Sequence, residues 1–385
     1  MKWGRKGRLV LLFILLVVFL GEACPVFADD WQDSLYQEQW DQSGAQEFLD
    51  SLPREATDPL YENGLTPENW DTLAQEGGEE VWQLLLDSFL DQFRSPLRSA
   101  LQIVGVLILC SLVGAIQSQG KHLPLPETME LTGTLASMML FLTPVSGLIV
   151  SACEGIRQGT GILLGGAPVL CGILTASGHT FSGSTLSIFT VAAGNVGSLL
   201  ASAFLVPVLQ AFLALSSVSC LYPKLRLQAF CSALLKAVRW TLVFVVSIYS
   251  ALLSMQGTLA SSADAASLKA VRLSVSSFVP VVGSAVSDAM SAVQASMGLL
   301  RGGLGSFAIL TLLVLFVPGM IAGGLWILAS CLLGGACELF SLSQVKPFFT
   351  SCRDVLQTLL AFQISFCVIA VTSFALLLST GGTSG

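Results

Sequence analysis

Long apolar runs with few charges occupy the chain from residue 101 onward, and they constrain its fold more than any other feature. A hydrocarbon core about 30 Å thick is crossed by about 20 residues of helix, the length scale of these runs. Because backbone inside hydrocarbon must satisfy its own hydrogen bonds, helices are expected. Only 11% of the residues are charged, against roughly 25% in soluble domains. The sequence therefore predicts an all-α, polytopic helical membrane protein with about six to eight membrane segments.

The apolar runs fall into two kinds. Six of them contain a plausible span, namely Leu101–Ile116, Leu131–Cys153, the first part of Thr185–Leu221, Leu234–Leu253, Phe307–Leu333 and Leu356–Leu378. The other two, Gly161–Ala176 and Phe278–Leu300, are rich in Gly, Ser and Pro. Pro207 and Pro318 leave open whether two of the long runs each hold two helices broken at the proline.

The amino terminus has the three parts of a secretory signal peptide. A basic stretch ending at Arg8 precedes the apolar stretch Leu9–Leu20, and Val26-Phe27-Ala28 places small residues where a signal peptidase reads. We predict that residues 1–28 are a signal peptide cut after Ala28. An uncleaved anchor is the alternative, but twelve apolar residues reach only about 18 Å as helix, short of the roughly 30 Å core.

An acidic segment follows, over residues 29–98. It carries 17 of the 25 acidic residues and three basic ones, so the overall charge of -7 describes this segment rather than the rest of the chain. We predict an extracytoplasmic segment of short helices, ending in an amphipathic helix over Glu79–Arg98. That last helix either lies on the membrane surface, receives a partner or packs on its own small domain.

Landmarks that recur at nearly constant spacing indicate an internal duplication. Pro168-Val169-Leu170 resembles Pro280-Val281-Val282 at an offset of 112 residues, and Leu205-Val206-Pro207 resembles Phe316-Val317-Pro318 at 111. Recurrence in one register favours a tandem repeat. We predict repeat 1 at about 131–222 and repeat 2 at about 240–335, within a polytopic membrane domain over residues 99–385.

The two Gly- and Pro-rich segments are predicted to be re-entrant hairpins, because irregular backbone at depth is tolerated where it is buried in protein or lines a cavity. With the amino terminus outside, this arrangement makes the two repeats parallel. It also leaves the following basic residues in the cytoplasm, as the positive-inside rule prefers: Lys121, Lys224, Arg226, Lys236, Arg239, Lys346 and Arg353.

Paired hairpins of this kind form ion and substrate sites in channels and transporters, which makes them the candidate pore or binding site. The candidate residues are Pro168, Gly172, Ser177, Pro280, Gly283 and Asp288. Asp288 is the most informative of them, since an ionisable group at membrane depth is costly and points to function. The competing interpretation is that Asp288 lies near the interface and caps a helix.

Other chemistry finds little support in the sequence. There is no CxxC pair, and His122 and His179 are not spaced as metal ligands, so no metal, cofactor or catalytic residue is assigned. The Gly302–Gly305 turn lacks the strand and the Lys-Ser/Thr of a phosphate-binding loop, which leaves a flexible turn or close helix packing. A basic nucleic-acid-binding face is missing. We expect a protein that is not an enzyme.

Over nearly its whole length the chain resembles the stage III sporulation protein AE family of endospore-forming bacteria. The resemblance is carried by Ser277-Phe278-Val279-Pro280-Val281-Val282-Gly283, Ser287-Asp288-Ala289 and Leu300-Arg301-Gly302-Gly303-Leu304-Gly305, read after a signal peptide and an acidic exported segment. It implies a multi-pass protein of the mother-cell (outer forespore) membrane, in the channel complex joining mother cell to forespore. Implied partners are other stage III sporulation proteins of that complex and the lipid bilayer, and self-association is allowed.

Two functions are consistent with these features. The first is a non-enzymatic component of the sporulation channel, which either lines a conduit or anchors the assembly. The second is a secondary transporter with a substrate site between the two hairpins.

Overall fold

The computed structural model describes residues 38–67, 92–109, 111–112, 125–221, 227–278, 283–340 and 345–380. The predicted signal peptide lies outside these residues, as do Pro280 and the greater part of the amphipathic helix predicted over Glu79–Arg98. No strand occurs among the described residues. The all-α prediction is confirmed for this part of the chain.

Two short helices precede the long ones. Residues 38–42 and 92–109 are also helical. The helices are α1 (Ala45–Asp50), α2 (Arg54–Glu62), α3 (Leu125–Ala176), α4 (Thr180–Leu199), a π-helical turn (Leu200–Leu205), α5 (Val206–Leu221), α6 (Leu227–Phe278), α7 (Gly283–Leu339) and α8 (Lys346–Ser379).

Five described helices are long and apolar enough to cross a membrane. They are Thr132–Ala176, Thr180–Leu221, Phe230–Met255, Val293–Leu339 and Lys346–Ser379. The first two and the fourth have 45, 42 and 47 residues, about 65 Å of helix at 1.5 Å per residue and twice the hydrocarbon thickness. A polytopic membrane domain is thus supported, whereas the count of about six to eight segments stays a prediction.

Helices α3 and α8 run in parallel through the centre of the bundle. Near one end, the Phe141 ring lies 6.4 Å from that of Phe348 and 5.3 Å from that of Phe349, centroid to centroid. Near the other end, a Cβ added to Gly166 would lie 2.9 Å from the Phe374 ring. Aromatic rings and glycines thus set the register of this pair along its whole length.

Helix α7 runs antiparallel to α8. Lys346 at the start of α8 pairs with Glu338 near the end of α7, and Gly305, in the first half of α7, approaches Leu378 near the end of α8 so closely that a Cβ would overlap its side chain. Gly305 therefore lies within a continuous helix, as does Pro318. Close helix packing, rather than a flexible turn, explains this glycine.

The segment from Thr180 to Leu221 is a continuous rod that runs antiparallel to α3. Thr160 of α3 donates to the carbonyl of Gly194 at 3.1 Å. A break at Pro207 does not occur: the π-helical turn directly precedes this proline, and α5 continues through it. Proline cannot donate to the carbonyl four residues earlier and its ring crowds that carbonyl, so the chain widens locally instead of ending.

Helix α6 runs parallel to α8, and α6 and α7 both extend past the end of α8. The Tyr249 hydroxyl of α6 lies 2.6 Å from that of Ser373. Beyond Tyr249, α6 continues for about 45 Å of helix to Phe278. Beyond Ser373, α8 continues for only about 9 Å to Ser379. Arg301 of α7 bonds to Thr380, which directly follows the end of α8. Because α7 begins at Gly283, about 25 Å of α7 lies beyond that level.

The first predicted hairpin differs from the structure. Gly161–Ala176 does not form a hairpin of its own: it continues the 52-residue helix that begins at Leu125, and Pro168 lies inside that helix. Pro168 is exposed, so its ring meets little beyond its own helix, and a membrane-type helix can satisfy the freed carbonyl locally. The chain instead reverses at residues 177–179, between α3 and α4.

The predicted repeat has a limited counterpart in the helices. Both α3 and α6 have 52 residues, and each is followed by a further long helical rod. The matched prolines, however, occupy different settings, because Pro168 lies within α3 and Pro280 falls between α6 and α7, outside the described residues. The tandem repeat therefore stays a prediction.

Candidate functional site

The predicted site residues of the first hairpin lie on α3 and in the turn after it. Pro168 and Gly172 are exposed on α3, and a Cβ at Gly172 would meet nothing within 4 Å. Ser177 is buried, and its hydroxyl donates to the carbonyl of Ile173 at 2.7 Å. Only Ser177 is therefore placed inside the bundle.

A hydrogen bond joins the second predicted hairpin segment to the end of the first. The amide nitrogen of Gln294, on α7, donates to the carbonyl of Ser177 at 3.2 Å. Gly283 is the first residue of α7 and Asp288 lies five residues later, but the Asp288 side chain lies outside the described part of the chain, as does Pro280. The end of α3 thus contacts α7 eleven residues after the start of α7, and the role of Asp288 stays a prediction.

Glycine determines how α3 ends at this site. Gly178 has a φ of 93°, a left-handed conformation that side chains with a Cβ disfavour. The N–H of His179 donates to the carbonyl of Leu174 at 2.9 Å, and the N–H of Gly178 to that of Thr175 at 3.0 Å. These two bonds form the glycine-terminated helix end known as a Schellman motif. The sequence reasoning selected Ser177 and missed Gly178, although Ser-Gly after an apolar helix is a stop signal.

The acidic segment packs onto the same end of the bundle. The Phe48 ring of α1 fills the notch made by two glycines, since a Cβ at Gly165 or Gly166 would lie 3.3 or 2.9 Å from it. The Tyr61 ring lies 5.4 Å from that of Phe307 on α7. These aromatic contacts join α1 to α3 and the end of α2 to α7.

A hydrogen bond completes this interface. The hydroxyl of Ser296, on α7, donates to the side-chain oxygen of Gln39 at 2.8 Å. Burial and the nearby Asp50 carboxylate raise the pKa of Tyr61, in that order of importance. We call this end of the bundle, defined by residues 38–67 and their contacts, the acidic end. Sequence patterns gave no signal for these contacts, since their partners lie more than a hundred residues apart.

Arg301 is a buried cation near the acidic end. Its exposed fraction is 7%, and its Nη1 donates to the carbonyl of Thr380. Its Nε has no hydrogen-bond partner among the described residues. Because burying a charge without full pairing is costly, this side chain is a candidate for function as much as for stability. The sequence reasoning quoted Arg301 only as part of the family resemblance.

The opposite end of the bundle carries basic side chains, and we call it the basic end. Arg239, on α6, donates to the hydroxyl of Thr358 at 3.0 Å and to the carbonyl of Asp354 at 3.1 Å. Lys346 pairs there with Glu338. The structure thus separates these basic residues from the acidic segment by the length of the bundle.

Between the two ends, the centre of the bundle is filled. A Cβ at Gly159 would lie 2.7 Å from the Phe316 ring, and one at Gly197 would overlap the Phe366 ring. The Phe316 and Phe366 rings are themselves 5.6 Å apart. Four helices therefore meet here, with phenylalanine rings packed directly against glycines where they cross. Among the described residues, no group of three His, Cys, Asp or Glu side chains is placed to hold a metal.

These features define a class: a polytopic helical membrane protein with a filled bundle, an acidic segment docked on one end and basic side chains at the other. Residues 73–381 match the family described as stage III sporulation protein AE. The chain belongs to that family.

A curated relative supports this assignment. The chain is 23% identical over 238 residues to a protein of Bacillus subtilis (strain 168) called "Stage III sporulation protein AE". The matched region covers 61% of this chain and 59% of the relative, so the chain spans about three fifths of the relative's length. No solved structure matches.

Proposed function

We propose that this chain is a non-enzymatic membrane component of the channel complex that joins mother cell and forespore and is required for endospore formation. The observation that carries the proposal is the family match over residues 73–381. This range includes all five membrane-length helices in full. In this role the partners are other stage III sporulation proteins of the same complex.

The proposed location is the mother-cell membrane that surrounds the forespore. The acidic end would then face the intermembrane space and the basic end the mother-cell cytoplasm. The distribution of charge supports this orientation, since Arg239 and Lys346 lie at the end away from the acidic segment and basic residues favour the cytoplasmic side.

The filled centre of the bundle favours a channel component that forms a conduit together with other chains. Phe316 and Phe366 close the space between α3, α4, α7 and α8, and closely packed interiors leave no room for a water-filled path. A conduit would then form between this chain and its partners, or between copies, rather than through a single bundle. The secondary transporter is the less favoured function, because the first of its two predicted hairpins is part of the continuous helix α3.

Affinity purification from sporulating cells tests the proposal. A tagged chain in the organism that encodes it should co-purify with other stage III sporulation proteins, and deletion of its gene should stop spore formation until the chain is restored. The purified chain alone in vesicles should catalyse no saturable uptake. Spores formed at normal frequency without the chain would overturn the proposal, and saturable uptake by the chain alone would favour the transporter.

A further inference from the structure

An apolar groove lies between α4, α6 and α8. Its volume is about 250 Å³, and its walls include Phe189 and Gly197 of α4, Leu242 and Tyr249 of α6, and Phe362 and Phe366 of α8. All three helices are among those long and apolar enough to cross a membrane. The groove is therefore a feature of the membrane domain, away from the docked acidic segment.

The groove has no unmet polar group to offer a ligand. Its two hydroxyl-bearing side chains are Tyr249 and Ser365. The Tyr249 hydroxyl is paired with that of Ser373 at 2.6 Å, and the Ser365 hydroxyl donates to the carbonyl of Ala361 at 2.7 Å. A water or polar ligand would find little to bond with there, so the groove suits an apolar occupant.

The mouth of the groove opens onto surface that is itself apolar. Val196 of α4 and Ile248 of α6 line the groove and are each 45% exposed, and the lining residue Leu252 of α6 is 39% exposed. On a protein that crosses a membrane, such side chains face lipid. The groove is consequently continuous with the hydrocarbon around the protein, and the molecules that can reach it from the side are lipids and other membrane-embedded chains.

Size distinguishes between those two occupants. A helix about 10–12 Å across would occupy at least roughly 1,200 Å³ over the about 16 Å of α4 that lines the groove, several times the groove's volume of about 250 Å³. An apolar cavity of about 150 Å³ already holds a benzene molecule, so this groove accommodates a run of several methylenes. Left empty, its walls would lose dispersion contacts on one side, and a bilayer supplies flexible chains that restore them.

The groove lies in the half of the membrane domain nearer the acidic end. The α4 lining, Phe189–Leu200, belongs to the first half of the Thr180–Leu221 rod, which starts at that end. The α6 lining, Leu242–Leu252, belongs to the second half of Phe230–Met255, which runs toward that end. A lipid of the leaflet on the acidic side can therefore place one chain here.

We propose that this groove is a specific binding site for one acyl chain of a phospholipid from the membrane leaflet on the acidic side. The bound chain fills the space between α4, α6 and α8 and ties the π-helical turn that begins at Leu200 to α6. This inference is independent of the proposed function, because it rests on the groove alone.

Native mass spectrometry of the full chain tests the proposal. The chain is reconstituted in vesicles of phosphatidylglycerol and phosphatidylethanolamine, extracted in mild detergent and analysed for retained lipid. We expect about one phospholipid per chain for the wild type. Ala192→Trp, which places an indole in the groove, should reduce retention at least tenfold. Ala214→Trp, at an exposed position of the same rod outside the groove, is the matched control and should retain lipid as the wild type does.

Retention of no phospholipid by the wild type would overturn the proposal, as would equal retention by Ala192→Trp and Ala214→Trp. A lipid-free dimer that separates only on Ala192→Trp substitution would show that a second copy occupies the groove instead. If Ala192→Trp does not elute as a monodisperse peak in size-exclusion chromatography, Val246→Trp takes its place. This substitution fills the groove from α6.

A photo-reactive phospholipid tests the wild type without any substitution. With a diazirine near its chain end, adducts should concentrate on the groove-lining segments Phe189–Leu200, Leu242–Leu252 and Phe362–Ile369. Adducts that are no more frequent there than at Val150, which is 55% exposed near the middle of α3 and outside the groove, would contradict a specific site.

Discussion

At the scale of single residues, glycines opposite phenylalanines determine how closely the helices of this bundle approach. Gly159 and Gly197 face the Phe316 and Phe366 rings with no space for a Cβ. Small residues allow such approach in membranes, where packing rather than water exclusion drives helix association. Thr160 adds an interhelical bond to the Gly194 carbonyl at 3.1 Å. These contacts make the centre a rigid crossing rather than a passage.

Gly197→Ala should destabilise the membrane domain, because the new methyl group would overlap the Phe366 ring. Overpacking of this kind costs about 1–3 kcal/mol. Gly147→Ala is the control: it lies in α3 with nothing within 4 Å of its Cβ position, so only the helix propensity gain of about 1 kcal/mol applies. Thermal unfolding in detergent should show a lower Tm for Gly197→Ala than for Gly147→Ala. Equal Tm values would mean that the crossing is not close-packed.

At the scale of elements, the apolar runs predicted where helices form but not where they end. The sequence separates Leu131–Cys153 from Gly161–Ala176 because Glu154 and Arg157 interrupt the apolar pattern. In the structure these two side chains pair at 3.1 Å on the surface of α3, as residues three apart on a helix can. A helix satisfies its own backbone, so a polar turn or Pro168 need not end it.

Contacts between residues far apart in the sequence determine the other features of the candidate site. The prediction of short helices in the acidic segment is confirmed for α1 and α2, but local patterns do not show that Phe48 meets Gly165 and Gly166. Ser177 is predicted as part of the first hairpin, and its hydrogen-bond partner Gln294 lies more than a hundred residues away. Tertiary packing, not propensity, fixes these positions.

Phe48→Ala should release the acidic segment from the acidic end. The ring is 3% exposed, and truncating a buried phenylalanine costs about 3–5 kcal/mol, enough to raise the open population by about a hundredfold or more. Limited proteolysis of the purified chain should cut residues 38–67 correspondingly faster. Gln46→Ala, at an exposed position of the same helix, should be cut at the wild-type rate. Unchanged proteolysis of Phe48→Ala would show that α1 does not depend on this contact.

At the scale of the whole molecule, opposite charges lie at opposite ends of a long apolar bundle. Residues 38–67 carry Glu38, Asp41, Glu47, Asp50, Glu55, Asp58 and Glu62 against Arg54, while Arg239, Lys346 and Arg353 lie at the basic end. Such a distribution gives the protein one orientation in a membrane, because translocation retains basic residues in the cytoplasm. In the orientation proposed above, the acidic surface faces the intermembrane space.

The accessibility of one residue at each end measures this orientation most directly. In a cysteine-free background, Thr180→Cys and Leu339→Cys place single thiols at exposed positions near the acidic and the basic end. A membrane-impermeant thiol reagent added to intact cells should label Thr180→Cys and should label Leu339→Cys only after permeabilisation. Labelling of Leu339→Cys in intact cells, with Thr180→Cys protected, would contradict the orientation on which the proposed role in the channel complex depends.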